Sequence, residues 1–86
     1  MDESLRQPAL FSTFIMGLAS AALIELGVVE DPQTKQKRFR QDQARSHIDL
    51  LAMLQEKTVG NLTAEEKELL ERVLVDLRLQ FAKTAR

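Results

Sequence analysis

Leu10-Phe11-Ser12-Thr13-Phe14-Ile15-Met16-Gly17-Leu18-Ala19-Ser20-Ala21-Ala22-Leu23 is the stretch whose reading decides the fold. It lies within a run from Gln7 to Ile24 that carries no charge. Pro8 suits the first turn of a helix, where its missing N–H would be unpaired anyway. Gly27 suits the position just past a helix C-terminus, where the backbone often turns left-handed. A buried pair of strands is the alternative, since Phe, Ile and Leu also suit strands. The length of the run and its Ala-rich middle favour a helix. The expectation is an apolar helix over 8–27 behind a tail at 1–7.

On a helical wheel, Leu10, Phe14, Leu18, Phe11, Ile15 and Leu26 take nearly half the circumference. Leu23 and Met16 form a second ridge. Thr13, Gly17 and Ser20 line the remaining arc. A helix apolar nearly all round is either buried on all sides or in a membrane. Two further helices cover only about half of such a cylinder. Three readings follow: a core helix in a three-helix domain, a helix shared between copies of the chain, or a membrane segment. The uncharged run is at the lower edge of spanning length. It carries Ser12, Thr13, Gly17 and Ser20, and no Trp, Tyr or Lys anchors its ends. A secretory leader fits less well, because Asp2 and Glu3 precede Arg6 and Ala19-Ser20-Ala21 lies inside the apolar run. Sharing between copies is the reading taken, with the protein placed in the cytoplasm and membrane association as the alternative.

The composition bounds the rest. A chain of 86 residues makes one small domain. The absence of Cys excludes disulfides, Cys-based zinc sites and thiol catalysis. With 44% hydrophobic and 29% charged residues the chain has the makings of a folded domain. Twelve Lys+Arg against 13 Asp+Glu give a net charge of −1, so no global charge argues for nucleic acid.

Beyond the apolar helix, residues 28–41 read as a basic linker, and its stretch 30–41 holds one large apolar residue, Phe39. A second helix is expected over 42–58, with Asp42 as N-cap. Ala44, Ile48, Leu51 and Gln55 share its apolar face, flanked by His47, Ala52 and Leu54. Thr58 to Leu62 form a break with Gly60 as the C-cap residue. A third helix follows over 63–83. Thr63 and Glu66 have the spacing of a capping box, and Leu70, Val73, Leu74, Leu77 and Phe81 form a stripe. The short connection makes helices two and three an antiparallel amphipathic hairpin. Val75 and Leu79, i and i+4 on the far side of helix three, suggest a second contact face.

No catalytic constellation stands out. His47, the only histidine, has no metal-ligand or nucleophile cluster around it and reads as a partly buried side chain with a local partner. Gln55 either reaches water near the helix end or makes a cross-helix hydrogen bond that fixes register. Glu65, Glu66, Glu68 and Glu71 read as a solvated helix start, with Glu68 and Arg72 paired at i, i+4. Lys35, Lys37, Arg38, Arg40 and Arg45 form a basic segment opposed locally only by Asp42. Interleaved Phe39 would allow base stacking, so RNA or an anionic lipid surface stands against a solvated linker. The glycines stand apart at 17, 27 and 60, so no phosphate-binding loop is present. No catalytic, metal or cofactor-binding residue is expected, and the chain does not read as an enzyme.

The run Leu10 to Leu23, together with Ile48-Asp49-Leu50-Leu51-Ala52-Met53-Leu54-Gln55-Glu56-Lys57-Thr58, Gly60-Asn61-Leu62-Thr63 and Asp76-Leu77-Arg78, resembles a family of short bacterial proteins known as domain of unknown function 1844. The resemblance covers most of the chain apart from both ends and residues 28–43. It implies a bacterial, cytosolic helical protein with the two runs as a fixed scaffold and a variable linker. It carries over no activity and no site residue. The reading is an all-α protein: a long apolar N-terminal helix, a linker, then the hairpin, completed by oligomerisation. Its expected role is a non-enzymatic, self-associating interaction or scaffold module, with a homo-oligomer or an unidentified protein as partner. Thr13, Met16, Gly17, Ser20, Leu23, Val75 and Leu79 are the candidate interface. An RNA- or ribosome-associated factor and a membrane-associated adaptor through the 8–26 helix are the alternatives.

Overall fold

The computed structural model describes residues 10–85. Three helices follow one another: α1 (Phe11–Glu25), α2 (Gln41–Lys57) and α3 (Ala64–Thr84). No strand occurs among the described residues, which removes the strand-pair alternative.

α1 is shorter than the expected 8–27. Leu10 is its N-cap, with extended backbone and no side-chain hydrogen bond to the first turn. The role expected of Pro8 and the tail at 1–7 lie outside the described residues. The other end of α1 closes as the sequence suggests. Gly27 takes φ +76°. The Val28 N–H donates to the Leu23 carbonyl at 3.1 Å, and the Gly27 N–H to the Ile24 carbonyl at 3.0 Å. These two bonds are the Schellman pattern, which satisfies carbonyls left over at a helix end.

The linker expected at 28–41 is a folded loop. The Asp31 N–H donates to the Gln36 carbonyl and the Lys35 N–H to the Asp31 carbonyl, at 2.9 and 2.8 Å. Asp31 Oδ1 accepts from the Gln33 N–H at 2.8 Å, an Asx turn that reverses the chain. The loop then returns to the end of α1, where the Arg40 N–H donates to the Glu25 carbonyl at 2.6 Å. The return is close. A Cβ on Gly27 would lie 3.2 Å from the Arg38 carbonyl carbon and the Phe39 nitrogen. Glycine is therefore required at 27 both for its φ and for its lack of a side chain.

α2 starts one residue earlier than expected, with Arg40 as its N-cap and no side-chain cap. Asp42 is not the cap. The backbone already turns at Arg40, which is held to Glu25, so Asp42 falls in the first turn, where its charge faces the positive end of the helix dipole. At the other end Gly60 is likewise not the cap, which is Thr58. The Thr58 hydroxyl donates to the Leu54 carbonyl at 2.7 Å. Gly60, at φ +83°, serves the next turn instead, closed by the Asn61 N–H donating to the Thr58 carbonyl at 2.9 Å. A turn with positive φ at its third residue favours glycine there.

α3 begins with the capping box. The Glu66 N–H donates to Thr63 Oγ1 at 3.1 Å, and the Thr63 N–H donates to Glu66 Oε1 at 2.9 Å. Reciprocal bonds of this kind satisfy two of the donors a helix start leaves over.

The three helices meet in one core. Ile15, Ala22 and Leu26 of α1 and its C-cap join Ala44, Ile48 and Leu51 of α2 and Leu70, Leu74 and Leu77 of α3. Ala19 is also buried. On α2 and α3 these are the expected stripes, with Val73 and Phe81 packed at the edge. On α1 the buried line is not the expected one. It runs through Ile15, Ala19, Ala22 and Leu26, and the helix is rotated so that Leu10 and Phe14 are exposed. Alanines on the inner line let three helix backbones converge more closely than a line of Phe and Leu would. The core stays small as a result.

Candidate functional site

Rotation of α1 sets its outer surface. Leu10 is 53% exposed, Phe14 54% and Met16 48%. Thr13, Gly17 and Ser20 are exposed beside them, and a Cβ on Gly17 would meet nothing within 4 Å. On α3, Val75 and Leu79 are also more than half exposed. Large apolar side chains left in water forgo about 1.5–3 kcal/mol each relative to full burial. Scattered singly they are ordinary; here several cluster on one short helix.

A groove of about 450 Å³ runs between α1 and α3. Met16 and Leu23 form its α1 wall, Val73 and Leu79 belong to its α3 wall, and Asp76 and Lys83 stand on the α3 side. The structure thus brings together three of the candidate interface residues, Met16, Leu23 and Leu79. Thr13, Gly17, Ser20 and Val75 are not among the groove's lining residues. Sequence reading passed over Asp76 and Lys83. The signal available was their spacing of i and i+7, which keeps them on one helix face with Leu79 between.

A second groove, of about 780 Å³, lies between α2 and α3 and is lined in part by Gln55, Leu70 and Glu71. Gln55 is half-buried at this groove.

The basic segment is divided by the fold. Lys35, Lys37 and Arg38 are exposed on the loop. Arg40 Nη2 lies 3.8 Å from Asp31 Oδ2. Arg45 stacks over the Phe81 ring, 5.3 Å from its centroid, a cation–π contact. Phe39, offered above as a stacking platform, meets Phe81 edge to face with centroids 6.1 Å apart. As the loop's one aromatic side chain, it gains more from the core edge than from water. It is therefore not a free platform for bases.

His47 joins two helices. Its Nδ1 lies 2.7 Å from Glu25 Oε2 and 3.2 Å from the Gln43 carbonyl oxygen. Glu25 Oε2 is buried and receives no aligned hydrogen bond, so the imidazole is the one polar group set against it across the two helices. Its place, from the end of α1 to the second turn of α2, makes it a structural clip. Among the described residues no group of His, Cys, Asp or Glu could hold a metal ion, and no helix is long and apolar enough to cross a membrane.

Comparison with known proteins identifies a family. The model of the family described as "Domain of unknown function (DUF1844)" matches residues 8–83. No curated protein matches, and no solved structure does. The matched region takes in α1, α2, the loop between them and all of α3 but its last residue, and the chain belongs to this family.

Proposed function

We propose that this member of the family is a non-enzymatic, self-associating helical module. In this reading α1 forms a core shared between copies, and α2 and α3, running as an antiparallel hairpin, cover it from outside. The observation that carries it is the state of α1: its inner line is buried while Leu10, Phe14 and Met16 on the same helix are about half exposed or more. Each contact between copies would cover such residues twice, once on each chain, which is how homodimer interfaces come to resemble divided cores. A cytoplasmic site of action suits an assembly that needs no disulfide.

The mass of the protein in solution, measured by sedimentation without detergent, tests this reading. A mass of two or more copies at micromolar concentration supports it. A stable monomer overturns it, and recovery only with lipid vesicles would transfer Leu10 and Phe14 to the membrane-adaptor reading. An RNA-bound role would have to rest on Lys35, Lys37 and Arg38, since Arg40 and Arg45 are engaged within the fold. Such binding would weaken steeply with salt.

A further inference from the structure

We infer that the groove between α1 and α3 is a two-fold dimer interface, in which α3 of a second copy lies antiparallel to α3 of the first, with Asp76 of each chain facing Lys83 of the other. The inference rests on the self-association proposed above and revises its surface: α3 takes the two-fold axis, and α1 joins the contact from the side through Met16 and Leu23.

Three observations converge on a second copy as the occupant. The first is the apolar character of the walls, with Met16 and Leu79 each about half exposed or more. The second is charge. Asp76 and Lys83 are exposed beside the groove, and neither is in an ion pair among the described residues, where Asp31–Arg40, Glu25–His47 and Glu68–Arg72 pair instead. The third is spacing. Seven residues apart on a helix, the two charges are separated by about 10.5 Å along one face. A two-fold axis through the middle of that interval brings each Asp76 onto the other chain's Lys83, and does so twice.

A surface of this kind is complementary to itself. A parallel arrangement of the same helices would set Asp76 against Asp76 and Lys83 against Lys83, which is repulsive. Leu79 and Gln80 fall next to the axis. Leu79 would pack on its counterpart, and Gln80, half-buried already, has an amide that both donates and accepts and so suits pairing with itself. Met16 and Leu23 would close over the second α3 from the side.

Charge exchange tests the geometry on the full chain. Three samples are compared by sedimentation equilibrium at low salt, where exposed charges are least screened: Asp76→Lys, Lys83→Asp, and their equimolar mixture. Each single variant faces like with like at both contacts, so its dimer dissociation constant should rise at least about tenfold. The mixture should recover dimer of wild-type mass, because a chain carrying two cations at these positions then meets a chain carrying two carboxylates, and both contacts are again between opposite charges. Leu79→Arg puts two cations on the axis and should give the same loss by a separate route. Helix content by circular dichroism should match wild type in all of them, since all three positions are exposed. If the wild type associates but the single variants associate equally well, this interface is wrong while self-association stands. If the wild type is monomeric, both fall. Loss of association in the single variants without rescue in the mixture also overturns the antiparallel pairing.

Discussion

α3 starts with two reciprocal side-chain hydrogen bonds between Thr63 and Glu66, whereas α1 starts at Leu10 with none. α3 also has a charged face to set against its core line, burying Leu70, Leu74 and Leu77 and turning its charged residues outward, with Val75 and Leu79 exposed among them. α1 has no such face and carries large apolar residues on both its inner and outer lines. What α1 has instead is a fastened C-terminal end. The Schellman bonds, the Arg40 N–H on the Glu25 carbonyl and the His47 contact all gather there. One helix is placed by its own pattern, the other by what its neighbours do to it.

The sharpest test of this contrast sets the same operation on each helix. Leu74→Ala empties a fully buried site of α3 and should cost about 2–5 kcal/mol in urea unfolding. Phe14→Ala should change the stability of the isolated chain by no more than about 0.5 kcal/mol. Equal losses of chain stability at both positions would erase the distinction.

Glycines provide the next comparison. Gly27→Ala should destabilise by more than about 1 kcal/mol, because the backbone is left-handed there and Arg38 and Phe39 crowd the added carbon. Gly17→Ala, on the same helix and in open space, should stabilise the isolated chain by up to about 1 kcal/mol. Thermal midpoints with opposite signs would show that α1 is rigidly set at its end and unconstrained on its outer line.

The caps come third. Thr63→Ala should remove about 1 kcal/mol from α3. Leu10→Asp, which offers α1 the cap it lacks, should add about 0.5–1 kcal/mol to the isolated chain. If Leu10→Asp stabilises nothing, the start of α1 is set by contacts and not by its own unpaired N–H groups. The smallest effect belongs to the exposed Glu68–Arg72 pair at 3.5 Å. Replacing either with Ala should shift stability by only about 0.3–0.5 kcal/mol, less as salt rises.

The same contrast explains what could be read from the sequence. Thr63, Glu66 and the Leu70–Leu74–Leu77 stripe carry their instructions locally, and α3 follows them within a residue of the expected bounds. Asp42 looked like a cap because it is a good one in isolation, but the Arg40–Glu25 hydrogen bond turns the chain two residues earlier. On α1 the wheel showed apolar residues in nearly every direction, so periodicity could not select the inward line. Packing selected it, favouring Ala19 and Ala22 over Leu10 and Phe14. The loop's tip is turned locally by Asp31, but its return to α1 had no local signature. Its bond to Glu25 and its close approach to Gly27 are long-range, and Phe39 found its place only against Phe81, far along the chain. The groove residues Asp76 and Lys83 were legible as a spacing, but only the structure sets them beside Met16.

The bond from Arg40 to Glu25 has one more consequence. It closes the base of the loop as a clasp closes a strap, so the tip around Gln33 to Lys37 hangs from a fixed frame. Extra chain inserted at that tip would lengthen a loop whose ends are already joined, and each doubling of length costs only about 0.6 kcal/mol. The tip is therefore a natural docking port for an engineer. An affinity tag or a fluorophore placed there would report on the assembly from outside while the helices keep their arrangement.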